Sequence, residues 1–163
     1  MSRVADAIAR AKAQGRGAFM GYLPIGYPDL QTSIEAAVTV AENGADILEL
    51  GPPYSDPVMD GVVIQEATQA ALAAGFRVRD VFTAVREITA RTDTPVVIMT
   101  YWNLVVQYGV DRFADDLVAA GGAGLVTPTS PRMRQRSGSR HPSAPGSIAS
   151  SSPRRRRPMR GSP

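Results

Sequence analysis

The chain has 163 residues, enough for one domain with a sizeable core, and its apolar fraction of 44% is that of an ordinary globular protein. It contains no cysteine, which excludes a disulfide, a thiolate metal site and a catalytic thiol. The net charge of +3 averages two unlike segments: residues 1–128 carry all 15 acidic and 9 of the 18 basic side chains, a balance of −6, whereas residues 129–163 carry nine arginines and no acid, a balance of +9.

Residues 4–13 predict a short amphipathic helix with Val4, Ile8 and Ala11 on one face. This start lacks the apolar core of a signal peptide, and no run approaches the ~18 apolar residues of a membrane span. A cytoplasmic protein with no membrane contact is the expectation. Residues 17–25 (GAFMGYLPI) read as an apolar strand ended by Gly26-Tyr27-Pro28. Thr32 and Glu35 have the spacing of a capping box and open a helix that runs to about Asn43, with Gly44 as its stop. Residues 45–50 form the second strand.

A Gly- and Pro-rich loop follows, then a helix over 62–74 stopped by Gly75. A second helix over 79–91 has Val81, Phe82, Val85 and Ile88 on its apolar side. The run PVVIMTY, residues 95–101, reads as a strand buried on both faces. A helix over 111–120 ends at Gly121-Gly122, and residues 124–127 begin a fourth strand. Alternation at this spacing implies an α/β fold with parallel strands joined by helical crossovers. An open doubly wound sheet and a (β/α)8 barrel both fit. No GxGxxG follows the first strand, which weakens a dinucleotide fold. Both architectures put active sites at the C-terminal ends of strands.

The loop after the second strand carries the chemistry. In ELGPPYSDPVMDG, residues 49–61, an apolar strand ends on the carboxylate of Glu49, and a stiff loop presents Asp60 eleven residues later. Strand periodicity puts Glu49 on the face of Ile47 and Ala45. Partial burial there raises its pKa toward the range useful for proton transfer, while a more solvated Asp60 stays ionised. Two carboxylates in unlike surroundings can take unlike roles. The plainer alternative pairs Glu49 with a neighbouring arginine and uses Asp56 and Asp60 as caps of turns or of the helix at Val62.

This segment, followed by Val63-Ile64-Gln65, resembles the signature of the tryptophan synthase alpha chain family. The likeness continues in Gly17-Ala18-Phe19, Gly26-Tyr27-Pro28, Gly44-Ala45-Asp46 and Met99-Thr100-Tyr101-Trp102-Asn103, and covers about residues 1–128. It implies the first half of a (β/α)8 TIM barrel. It also implies a lyase of tryptophan biosynthesis that splits indole-3-glycerol phosphate into indole and glyceraldehyde 3-phosphate. By the resemblance Glu49 is the proton shuttle and Asp60 accepts a hydrogen bond from the indole N–H. Tyr22, Met99 and Tyr101 match positions lining the indole pocket; for these three, ordinary barrel core is the plain alternative. Pro53, Tyr54, Ser55, Asp56 and Pro57 match a loop that meets a beta chain in an alpha2-beta2 assembly. No cofactor or metal is implied for this chain, since pyridoxal phosphate belongs to the beta chain. Pro52, Val62 and Leu104 depart from the family pattern, and none of them touches the two acids.

After Pro128 the likeness ends, and the family's phosphate-binding half barrel is replaced by a different composition. Residues 129–163 hold 9 Arg, 9 Ser, 6 Pro and 3 Gly, with one Ile, two Met and no aromatic residue. Such a segment buries too little apolar surface to offset its ordering entropy, so a disordered basic tail unable to supply a strand is expected. The abrupt switch inside a strand reads as out-of-frame translation and predicts little lyase activity. Two alternatives stand beside it: a basic arm whose Arg154 to Arg157 and Arg160 neutralise nucleic-acid phosphates, and a non-catalytic partner of a beta chain. His141, the only histidine, lies in this tail without a catalytic or metal role.

Overall fold

In the computed structural model, residues 2–128 are described. Helix α1 (Arg3–Ala13) starts on Ser2, whose side-chain oxygen accepts the Ala5 N–H at 3.2 Å. Strand β1 (Met20–Pro24) and helix α2 (Leu30–Glu42) follow, then strand β2 (Ile47–Gly51). Helices α3 (Val62–Ala73) and α4 (Val78–Thr89) come next. Strand β3 (Val96–Met99), helices α5 (Trp102–Tyr108) and α6 (Val110–Ala119) and strand β4 (Gly124–Val126) complete the order. The four strands form one parallel sheet in the order β1-β2-β3-β4. Among the described residues no helix is long and apolar enough to cross a membrane.

The parallel α/β architecture expected from the sequence is present, and several local expectations are corrected. Helix α2 is capped by Asp29, not by a Thr32–Glu35 box. The Asp29 carboxylate accepts the Thr32 N–H at 2.8 Å and its hydroxyl at 2.7 Å, while Glu35 is held in a two-bond pair with Arg91 at 2.6 and 2.7 Å. Ile8 points to solvent, and Ala7 and Ala11 are the buried residues of α1. Ala45 precedes β2 and packs with the helix-side core, so it does not share a face with Glu49. Helix α5 falls where the sequence reading placed no element. The expectations for residues 129–163, disorder, an absent fifth strand, a nucleic-acid arm and a silent His141, lie outside the described residues.

One face of the sheet is covered by helices. Ile25, Leu48, Leu50, Val96 and Ile98 are fully buried there, against Ile34 and Val38 of α2, Val81, Val85 and Ile88 of α4 and Phe113 of α6. Each such aliphatic side chain contributes roughly 1.5–3 kcal/mol by leaving water. The opposite, inner face is closed only at its N-terminal end, where Ala7 of α1 packs on Ile47 and Val97 with Val4 and Ala123 alongside. Asp46 anchors that end. Its carboxylate takes both guanidinium nitrogens of Arg16, at 2.5 and 2.7 Å, and the Phe19 N–H at 2.8 Å, which ties the entry of β1 to that of β2. The Arg16 bonds, followed by the Phe19 N–H, hold the Asp46 carboxyl down at about 2.

Candidate active site

Strand alternation sends Leu50 into the helix-side core and leaves Glu49 and Gly51 on the inner face. Tyr22 of β1 lies beside Glu49 in register, and its ring crosses β2 over Gly51. A Cβ on Gly51 would overlap the Tyr22 hydroxyl and ring, so the glycine of ELG is the space that Tyr22 fills. Glu49 is half-buried, and burial raises its pKa above the ordinary carboxylate value. No basic side chain pairs with it among the described residues. The plainer alternative of a Glu49–Arg ion pair is therefore not found.

Tyr22 reports that the two acids converge. Its hydroxyl is pushed up to about 12, first by burial, then by the negative charges of Asp60 and of Glu49, with Tyr101 adding a smaller push. Both carboxylates thus act on one phenol at the C-terminal end of the sheet. Met99, half-buried at the end of β3, continues the same face. The inner face so combines one carboxyl whose pKa burial raises, a second carboxylate and aromatic surface. That set can give and take a proton and accept a hydrogen bond from a flat donor.

The loop carrying Asp60 is held by β3's successor residues. The Tyr101 hydroxyl accepts the backbone N–H groups of Val58 and Met59, at 3.0 and 3.1 Å, and donates to Asp60 Oδ2 at 3.1 Å. The Tyr54 ring lies on the Tyr101 ring with centroids 4.7 Å apart, and the Asn103 side-chain amide donates to the Tyr54 hydroxyl at 2.8 Å. Tyr101, expected as pocket lining, is thus also the fastening of the Asp60 loop. Asp60 does not cap α3; the N-cap is Gly61, and the Asp60 carbonyl accepts from the Gln65 amide at 2.8 Å.

Of the loop residues expected to face a partner, Pro53 is buried and Tyr54 and Pro57 are half-buried. Ser55 and Asp56 are exposed and bonded to each other at 2.6 Å. The large outward apolar groups are instead Val58, Met59, Val62 and Val63. The sequence reading did not single out Val62 and Val63, nor the roles of Gly51 and Asn103. A glycine two residues after a strand-end acid, on the same side of the strand, was the one available signal. A cleft of about 340 Å³ lies outside the sheet between Pro53, Tyr54, Phe76, Leu104 and Tyr108, and neither acid lines it. Among the described residues no group of three His, Cys, Asp or Glu could hold a metal ion.

Comparison with known proteins adds a second line. The sequence model of the family described as "Tryptophan synthase alpha chain" matches residues 8–143. A tryptophan synthase alpha chain from Leifsonia xyli subsp. xyli is 71% identical over 128 residues, which is 78% of this chain and 49% of the relative. The chain spans about half the length of the curated relatives it matches. Among solved structures, tryptophan synthase from M. tuberculosis in an aminoacrylate-bound form superposes with a TM-score of 0.76 at 52% identity, covering 78% of this chain and 52% of that one. Tryptophan synthase subunit alpha from Legionella pneumophila gives a TM-score of 0.75 at 36% identity, covering 78% and 49%.

Proposed function

Because the chain belongs to the tryptophan synthase alpha chain family, we propose that residues 2–128 supply the proton-transfer half of an indole-3-glycerol phosphate lyase. The observation that carries this reading is the half-buried Glu49, without an ion-pair partner among the described residues, whose charge acts with that of Asp60 on the Tyr22 phenol. In the retro-aldol step the substrate's side-chain hydroxyl loses its proton, indole C3 gains one, and the C–C bond between them breaks. Glyceraldehyde 3-phosphate and indole result. Glu49 moves the proton, since burial raises its pKa above the ordinary carboxylate value, toward the range useful for proton transfer. Asp60, oriented by Tyr101, accepts the indole N–H and offsets the positive charge that C3 protonation places on the ring. Tyr22 and Met99 bound the ring's place on the inner face.

The chemistry needs no group beyond these side chains, and pyridoxal phosphate is assigned to a beta chain. That partner meets the loop after β2, through Ser55 and Asp56 and the exposed Val58 and Met59. Cytoplasmic action fits a small phosphorylated substrate.

The test joins residues 1–128 to the remaining half of the Leifsonia relative and measures indole release. The fusion turns over, and Glu49→Gln lowers kcat by about 10²–10⁴-fold. Full turnover by the Glu49→Gln fusion would sink the assignment of the shuttle.

A further inference from the structure

We propose that the Tyr22 hydroxyl is a catalytic hydrogen-bond donor to the substrate oxygen whose proton Glu49 takes. This role rests on the lyase reading above and deepens it, by giving the phenol a task beyond bounding the ring. Strand β1 sets Tyr22 beside Glu49 in register, and alternation turns both toward the inner face. The Tyr22 ring then reaches along β2 to Gly51, where its hydroxyl is the first atom that a Cβ would meet. Any side chain at position 51 pushes that hydroxyl away. Strand β2 thus supplies an acid and, two residues on, the space that lets a phenol oxygen stand on the acid's face. These placements come from β1 and β2 alone, both within the described residues.

Bounding a flat ring needs only another ring, and phenylalanine would serve. A half-buried hydroxyl loses part of its hydration and calls for an acceptor. Among the described residues neither acid provides one. Asp60 Oδ2 takes the Tyr101 hydroxyl, and the Glu49 carboxyl is shifted by burial, not by a bond from Tyr22. Burial, followed by the charges of Asp60 and Glu49, keeps the Tyr22 phenol protonated up to about 12. It is a neutral donor throughout the physiological range.

The substrate supplies the matching acceptor. Its indole ring offers an N–H, which Asp60 takes, and no in-plane lone pair. Acceptors begin on the side chain, and the one on the carbon attached to C3 is the hydroxyl that Glu49 deprotonates. Its proton passes to Glu49, the C–C electron pair returns to the C3-protonated ring, and an oxygen pair closes the aldehyde carbonyl. Tyr22 keeps its own proton throughout. Negative charge gathers on that oxygen as the step proceeds, so a preplaced donor stabilises the transition state more than the bound substrate.

The test titrates the full 163-residue chain with indole-3-methanol and with 3-methylindole, followed by ligand-observed NMR. The two probes differ only in the hydroxyl on the carbon attached to C3. Tyr22→Phe keeps the ring over Gly51, so folding is spared. It weakens indole-3-methanol about two- to tenfold, the scale of one neutral hydrogen bond, and leaves 3-methylindole unchanged. Asp60→Asn weakens both probes, because both carry the ring N–H. Unchanged affinity of Tyr22→Phe for indole-3-methanol, with Asp60→Asn still weakening both, overturns the donor role and leaves the lyase reading standing. No binding of either probe, or no effect of Asp60→Asn, overturns the place of indole on this face and the donor role with it. In the fusion described above, Tyr22→Phe lowers kcat about 10–100-fold and moves KM less than twofold. A raised KM with kcat unchanged marks a ring that only bounds the site, and overturns the proposal.

Discussion

The two faces of the sheet are cut from the same four short strands and do opposite things. The helix-covered face is saturated with Leu, Ile and Val at essentially zero exposure. The inner face is sealed by α1 at one end and at the other carries Tyr22, Glu49, Met99 and the Asp60 loop, all partly exposed. Adjacent residues of β2 show the contrast: Leu50 is fully buried in the core, and Glu49 beside it is only half-buried and has no ion-pair partner among the described residues. Stability is concentrated on one side and reactivity on the other, and a period of two separates them.

The largest effect is expected where the first face is broken. Leu50→Ala or Ile98→Ala removes a fully buried side chain and costs about 2–5 kcal/mol, read from the urea midpoint. A loss below 1 kcal/mol would mean that this face is not where stability resides. Next is Gly51→Ala on the inner face. Its new Cβ overlaps Tyr22, and the cost is about 1–3 kcal/mol. Because the hydroxyl is the nearest atom, Tyr22→Phe recovers part of that cost, and a double-mutant cycle with no coupling would refute the contact.

Tyr101→Phe should cost less, about 1 kcal/mol, because water replaces the lost bonds at an exposed loop. Its signature is local: faster hydrogen exchange at Val58 and Met59, with the helix-side core unchanged. Glu49→Gln has the smallest effect on stability and the most telling sign. Burial raises the folded pKa of Glu49 above the unfolded value. The stabilisation from its protonated form is complete below the ordinary Glu range, near pH ~4, and is lost as pH rises through the folded pKa. At pH 7 Glu49→Gln is therefore neutral or stabilising, and the gap between variant and parent closes toward pH ~4. A Glu49→Gln variant clearly less stable at pH 7 would reveal a stabilising partner of the carboxylate.

Much of the fold was legible because its signals are local. Gly44, Gly75 and Gly121 end helices with positive φ as their positions after periodic runs suggested. The apolar side of α4 was read residue by residue from Val81, Phe82, Val85 and Ile88, all buried. Misses came where two local signals compete. Asp29 and Thr32 both have capping chemistry, and the carboxylate, placed before the first turn, takes the Thr32 N–H and hydroxyl together. Helix α5 was hidden because PVVIMTY runs into WNLVV with no Gly, Pro or charged residue between them, and periodicity alone cannot divide a buried strand from a short helix.

The sequence alone determined the alternation of strand and helix, the strand-end position of Glu49 and the presence of Asp60 across a stiff loop. These depend on spacing along one stretch of chain. Only the tertiary structure decided that no arginine among the described residues pairs with Glu49, that Tyr22 occupies the space above Gly51, and that Tyr101 fastens Val58, Met59 and Asp60 from more than forty residues away. Periodicity tells which side of a strand a residue faces. What stands opposite it is set by packing between segments far apart in sequence, and that packing gives each carboxylate its environment.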